Sequence, residues 1–195
     1  MDAERVVLIM IFYMQFNAAN IAGIIQITNV KQEPLYYLIR IPPHWKTSYN
    51  LLGVSQDIIG SIEQISHSSW PNYQIKIGSN LITKVYHLNN SRHQLMLAPT
   101  VHWLITGNLI ENNYVVHDFH HQVIMTVDNI YFKNGHEGYL LNINDNAEYK
   151  VGILLAAVLN QTSRNTKNKR SLERLKGRQL RVQLKRNINF PSDKN

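Results

Sequence analysis

Residues 149–161, with the sequence YKVGILLAAVLNQ, constrain the fold of this chain more than any other segment. Its centre, Val151 to Leu159, carries no charge and no side chain that forms hydrogen bonds. A helix that is apolar on every side has to be buried on every side. Because almost all of the chain before it reads as β-strands, we expect those strands to wrap around the helix.

A recurring pattern in the first 145 residues predicts β-hairpins. A short strand, often begun by Tyr, meets a polar turn and is followed by a second apolar strand. Four such units cover residues 24–41, 49–65, 73–88 and 114–127, with turns at 31–34, 55–57, 78–80 and 120–122. Residues 102–107 and 138–143 supply further strands. A sheet of about ten to twelve antiparallel strands normally splits or closes, because open edges invite aggregation.

The sequence therefore predicts a mainly β fold. We expect a closed antiparallel barrel of about twelve strands that encloses one hydrophobic C-terminal helix near residues 149–161. The domain is expected to span residues 1–162, and residues 163–195 are expected to form a basic, flexible C-terminal extension. A length of 195 residues is consistent with one such domain.

The N-terminal segment Arg5 to Met14, RVVLIMIFYM, is apolar enough to suggest a signal peptide or a membrane anchor. Asp2 and Glu4 give it an acidic start, and no clear small-residue cleavage site follows. We therefore expect a buried strand, with a cleaved signal or an anchor as the alternative. The chain contains 0 cysteines, which excludes disulfides and thiolate sites and fits a reducing cytosol.

The net positive charge of the chain comes from its C-terminal part. Residues 1–162 hold 9 Lys/Arg and 11 Asp/Glu, a balance of -2, whereas residues 163–195 hold 11 and 2, a balance of +9. Such a segment attracts anionic bilayers and nucleic acids, although it lacks the aromatic residues that single-strand binders use for stacking. A purely solubilising role is the further alternative. The candidate anion- or lipid-contacting residues are Arg164, Lys167, Lys169, Arg170, Arg174, Lys176, Arg178, Arg181, Lys185 and Arg186.

Several segments together resemble the LURP-one-related family, which belongs to the Tubby-like group and has phospholipid scramblases as relatives. The resemblance is carried by the hairpin turns, by a Trp strand that ends in Gly-Asn, and by the apolar C-terminal helix. The segments are Ile27 to Tyr36, Trp103 to Asn108, Tyr114 to Asp118, Gly138 to Ile143 and Val151 to Leu159. The resemblance implies a twelve-stranded barrel around that helix. It also implies a binding role, since Tubby-like domains bind phosphoinositides.

Candidate catalytic and metal-binding residues lack a recognisable motif. The carboxylates considered are Asp118, Asp128, Glu137 and Asp145, of which Asp118 and Asp145 are typical of turns. The histidine cluster is His117, His120 and His121, with His102 and His136 nearby in sequence. In an extended strand His117 and His121 would lie about 13 Å apart, which is too far for one metal ion. We expect no catalytic residue, no cofactor and no metal.

Other expectations concern the tryptophans and the helix. Trp103 is expected to pack on the core helix, whereas Trp45 and Trp70 are expected in loops at a barrel end, as packing residues or as membrane anchors. The residues expected to form the buried face of the helix are Val151, Ile153, Leu154, Leu155, Val158 and Leu159.

The functional hypothesis is a non-enzymatic module that binds anionic phospholipid or phosphoinositide at a membrane surface, in the cytoplasm and peripheral to the membrane. The alternative is a structural or protein-interaction scaffold whose basic extension docks on a protein partner or, less favoured, on nucleic acid.

Overall fold

Antiparallel β-strands make up most of the residues that the computed structural model describes, which are 8–18, 21–43, 46–66, 71–88, 94–108, 111–144 and 148–159. Within those residues there are twelve strands. They are β1 Ile9–Phe16, β2 Ile24–Thr28, β3 Pro34–Arg40, β4 Ser48–Gly53, β5 Ile58–Gln64, β6 Tyr73–Ile77, β7 Asn80–Leu88, β8 Gln94–Ala98, β9 Trp103–Asn108, β10 Asn113–Asp118, β11 Val123–Tyr131 and β12 Glu137–Asn144.

The strands follow one another around a closed barrel. Each strand pairs antiparallel with its neighbour in sequence, and β1 closes the ring by pairing with β12 over the register Ile9↔Asn144 to Gln15↔Gly138. Closure removes the open edges that a sheet of this size would otherwise expose. The predicted mainly β fold with a closed antiparallel barrel is confirmed.

The predicted hairpins correspond to β2–β3, β4–β5, β6–β7 and β10–β11. Polar side chains organise two of the turns. Asn29 Oδ1 accepts hydrogen bonds from the backbone N–H groups of Lys31 at 2.9 Å and Glu33 at 3.0 Å. Asp118 Oδ1 accepts from the N–H groups of His120 and Gln122, both at 2.8 Å. Asp118 is thus a turn residue, because its carboxylate binds amides of its own loop.

Two strands differ from the expectation. Strand β8 has five residues, QLMLA, and the sequence carries no hairpin pattern that predicts it. Strand β1 buries one face only, with Met14 fully buried but Ile9 57% exposed and Ile11 37% exposed. A barrel strand turns alternate side chains to solvent, and a continuous apolar run conceals that alternation in the sequence.

The central helix, residues 149–159, lies inside the barrel. Every residue from Val151 to Leu159 is buried, and the helix belongs to the same hydrophobic core as the inward side chains of the strands. Its first turn contacts one side of the barrel, where the rings of Phe12 in β1 and Tyr149 stack at 5.8 Å between centroids. Its last residue contacts the opposite part of the sheet, where the Tyr114 hydroxyl of β10 donates to the Leu159 carbonyl at 3.4 Å.

Glycines allow the helix and the sheet to approach closely. A Cβ atom on Gly152 would lie 3.0 Å from Met125 Sδ in β11 and 3.1 Å from Ile143 Cδ1 in β12. On the β5 side, a Cβ atom on Gly60 would lie 3.4 Å from Leu154 Cδ1. The helix therefore contacts strands on several sides of the barrel, including β1, β5, β10, β11 and β12, and its side chains lie in the core.

The polarity of the helix distinguishes the two ends of the barrel. At the entry end the chain enters the lumen at Tyr149, and the turns β2–β3, β4–β5, β6–β7, β8–β9 and β10–β11 lie there. At the exit end lies Leu159, from which the chain continues into residues 160–195.

Replacing a helix side chain in the lumen should destabilise the fold strongly. We expect Leu154→Ala to lower the free energy of unfolding by about 2–5 kcal/mol, because Leu154 is 0% exposed and its removal leaves a cavity. The matched control is Leu81→Ala, at a leucine that is 51% exposed, with an expected loss below about 1 kcal/mol. Urea denaturation of both variants measures the difference, and equal losses would contradict the placement of the helix.

Candidate functional site

The filled interior directs attention to the two ends and to the outer surface. Ligand sites in barrels of this class of architecture normally occupy the lumen, which the helix takes here. The concavities that can hold a ligand are accordingly open to the outside.

A concavity of about 540 Å³, the entry groove, lies at the entry end. Its walls come from three separate parts of the chain: Val101 to Trp103 between β8 and β9, Asp118 to His120 in the β10–β11 turn, and Glu148 in front of the helix. Ile124 completes the lining. The short 3-10 turn Pro99–Val101 and a left-handed His102, with φ 57°, shape the first wall.

The entry groove combines aromatic rings with negative charge. The rings of His102 and Phe119 meet edge to face at 5.3 Å, and Phe119 is 47% exposed. Asp118 and Glu148 bring two carboxylates to the lining, which includes neither Lys nor Arg. Lys150, the nearest cation along the helix, places its ammonium 5.8 Å from the ring centroid of Tyr149. Aromatic faces and carboxylates together are suited to a cationic, partly apolar ligand.

Exposed apolar side chains surround the entry groove at the same end of the barrel. Each is between 47% and 62% exposed, and together they form the entry rim: Leu8, Ile9, Val30, Val54, Ile58, Leu81, Phe119 and Val123. They come from the start of β1 and from four different hairpins. Exposed apolar side chains also lie at the exit end, among them Ile21, 52% exposed, and Tyr131, 73% exposed. The entry rim is the larger group next to a concavity, which makes it a candidate interaction surface.

A second concavity of about 560 Å³ lies on strands β8 to β11, towards the exit end. Its polar side chains include Thr106, Asn113 and Asp128. Next to it, Asn142 Nδ2 donates to Thr126 Oγ1 at 3.1 Å, and Thr126 Oγ1 donates to Asp128 Oδ2 at 3.5 Å. The bond between Asn142 and Thr126 joins β12 to β11, and the bond between Thr126 and Asp128 lies within β11. Such bonds are the ordinary role of polar side chains on the outer face of a sheet.

A histidine and a glutamine form a hydrogen-bonded pair at the exit end. His87 Nδ1 lies 2.6 Å from the Pro71 carbonyl oxygen, so this ring nitrogen carries the proton and donates. His87 Nε2 is then the acceptor, and Gln94 Nε2 donates to it at 3.0 Å. Burial lowers the pKa of His87 below its ordinary value of 6.5, and the hydrogen bond to Pro71 opposes that shift in part.

Two tyrosines meet where the helix enters the lumen. The hydroxyl groups of Tyr36 in β3 and Tyr149 lie 3.1 Å apart, so one donates to the other. Burial, followed by this hydrogen bond and the proximity of Tyr149, raises the pKa of Tyr36 to about 12. The Tyr36 hydroxyl therefore stays protonated at neutral pH, and the pair attaches the first turn of the helix to β3.

The residues expected to act in binding fall outside the described part of the chain. The ten basic residues from Arg164 to Arg186, and Trp45 and Trp70, all belong to segments that the structure does not describe. The expected helix residues Val151, Ile153, Leu154, Leu155, Val158 and Leu159 are each 0–1% exposed. Trp103 is 4% exposed and belongs to the same core as the helix.

The other sequence candidates are dispersed. His117 lies in β10, and His121 lies in the following turn with φ 64°. Among the described residues, no group of three His, Asp or Glu side chains is placed to hold a metal ion. Glu137 lies at the start of β12 and Asp128 in β11, and Asp145 lies outside the described residues.

Comparison with known proteins supports the fold. The X-ray structure of AT5G01750, a protein of Arabidopsis thaliana, is similar to this chain with a TM-score of 0.57 and 13% sequence identity. The similarity covers 78% of this chain and 90% of that one. No protein-family model and no curated protein matches. Identity at this level shows a common fold and leaves function to be argued from the site.

The described part of the chain has no helix whose length and hydropathy would let it cross a bilayer.

His87 should make stability depend on pH. With its pKa lowered in the folded state, the unfolded state binds more protons below pH 6.5, so stability is present above that pH and is lost on acidification. We expect His87→Gln to remove up to about 1.4 kcal/mol per pH unit from the slope of unfolding free energy between pH 7 and pH 5. Urea titrations at several pH values measure it.

The matched control for this experiment is His120→Gln, an exposed histidine in the β10–β11 turn. It removes an exposed histidine in place of the buried one, so the comparison isolates the contribution of the buried, hydrogen-bonded ring. If His87→Gln left the slope unchanged, the neutral, hydrogen-bonded state assigned to His87 would be wrong.

Proposed function

We propose that the protein is a non-enzymatic binding module of the LURP-one-related family, within the Tubby-like group, that attaches to anionic phospholipid, including phosphoinositides. The segment that binds is the basic region 163–195. In this proposal the protein is cytoplasmic and peripheral at a membrane surface.

The observation that carries the proposal is the separation of charge along the chain. Residues 163–195 carry a balance of +9, whereas residues 1–162 carry -2. Each basic residue near an anionic bilayer contributes about 1 kcal/mol of attraction. A charge of this size on so short a segment is enough for attachment, while the rest of the chain would contribute little.

The fold gives secondary support. The described residues of the helix lie in the core inside the barrel, and the two concavities described above are open to the outside, which supports binding through outer surfaces. Leu159, the last described residue before the basic region in sequence, lies towards the exit end. The likeness to the fold of the Arabidopsis thaliana protein is consistent with the family resemblance of the sequence.

Co-sedimentation with vesicles tests the proposal. The full chain should pellet with vesicles that contain phosphatidylserine or a phosphoinositide and remain in the supernatant with neutral vesicles. Replacing the ten basic residues from Arg164 to Arg186 by Gln should weaken binding at least about tenfold, because the electrostatic attraction is lost. Raising the salt concentration should also weaken binding, because the Debye length falls below about 10 Å above 0.1 M salt.

A charge-conserving variant is the matched control. Exchanging every Lys for Arg and every Arg for Lys in the same ten positions should leave sedimentation unchanged. Equal binding to neutral and anionic vesicles would contradict the proposal.

A second candidate function, a protein-interaction scaffold, is favoured by the entry rim. Its eight exposed apolar side chains lie at the entry end of the barrel. In this case a protein partner would protect the chain from limited proteolysis and anionic vesicles would not. Protection by vesicles alone would exclude it.

A further inference from the structure

The entry groove has the properties of a docking surface for a basic peptide. Its lining places two carboxylates, Asp118 and Glu148, beside an exposed aromatic ring, Phe119. Neither carboxylate forms an ion pair with another described residue. Asp118 Oδ1 accepts from two amides of its own turn, so Asp118 Oδ2 and the Glu148 carboxylate are the acceptors that the groove offers to a ligand.

The chain itself contains a segment with complementary chemistry. Between Leu180 and Arg186 the sequence LRVQLKR alternates apolar side chains, Leu180, Val182 and Leu184, with basic or polar ones. The apolar side chains match Phe119, Val101 and Ile124 of the groove lining, and the arginine and lysine side chains match the two carboxylates.

The length of the chain permits this contact within one molecule. Leu159, the last residue of the helix that the structure describes, lies towards the exit end, and β12 with its 8 residues spans the barrel over about 26 Å. The 20 residues from 160 to 179 could extend over about 60 Å. This is more than twice the distance along the barrel wall, so the segment can reach the entry groove from the exit end.

We propose that the entry groove docks the segment 180–186 of the same chain. Asp118 and Glu148 bind the basic side chains, and the apolar side chains cover Phe119. A consequence, which rests on the proposed function, is that the groove and an anionic membrane compete for the same basic residues. Docking then holds part of the basic region away from the membrane until anionic lipid displaces it.

Nuclear magnetic resonance on the full chain tests the docking directly. Replacing Arg181, Lys185 and Arg186 by Gln should shift the amide signals of residues 101–103, 118–120 and 148 and leave those of the β4–β5 turn unchanged. Conversely, the double variant Asp118→Asn and Glu148→Gln should shift the signals of residues 180–186. Asp118→Asn retains the Oδ1 acceptor that holds the β10–β11 turn, and Glu148→Gln alone provides a second variant that leaves this turn intact.

The matched control removes two other exposed carboxylates, Glu33→Gln with Glu111→Gln, and so changes the net charge equally. This variant should leave the signals of residues 180–186 in place. Absence of shifts in the groove on changing the basic segment would overturn the proposal. Shifts that appear only as the protein concentration rises would also overturn it, because the segment would then come from a second copy.

Vesicle binding separates this inference from the proposed function. The double variant Asp118→Asn and Glu148→Gln should bind phosphatidylserine vesicles at least about twofold more tightly than the unsubstituted chain, because the competing site in the groove is weakened. If the amide signals shift but the chain does not bind vesicles, the groove contact is supported and lipid attachment is refuted. If the chain binds vesicles but the amide signals do not shift, the groove contact is refuted and lipid attachment is supported.

Discussion

Burial of an apolar helix inside a closed sheet is the interaction on which the rest of this structure depends. The helix from Val151 to Leu159 is buried on all sides, and only a closed barrel provides apolar contacts in every direction at once. In turn, the barrel needs the helix, because inward residues such as Met14, Ile75 and Met125 would otherwise face an empty lumen. Each element completes the hydrophobic core of the other.

Filling the lumen also determines where chemistry can occur. Polar and charged side chains are displaced to the two ends and to the outer face, where Asp118, Glu148, His87 and Gln94 are found. The direction of the helix makes the two ends different. The entry end combines carboxylates with exposed apolar side chains, and Leu159, the last described residue of the helix, lies towards the exit end.

Particular residues show how far sequence patterns lead. Asp118 was predictable as a turn residue, because an Asp at the start of a short turn accepts hydrogen bonds from backbone amides that follow it, as Asp118 does from His120 and Gln122. By contrast, the entry groove was not predictable, because its lining comes from residues 101–103, 118–120 and 148, which no local pattern connects. The pair of His87 and Gln94 was missed because it depends on the pairing of β7 with β8. Strand β8 has five residues, which is too few for its sequence pattern to predict it.

The amino-acid sequence by itself determined the helix, most of the hairpins, and the concentration of net positive charge in residues 163–195. These features are local: they follow from periodicity, turn residues and composition, which are read directly along the chain. Only the tertiary structure decided which face of β1 is exposed, which end of the barrel receives each turn, and which carboxylates share a groove. Those features depend on barrel closure and strand register, which bring together residues that are far apart in sequence.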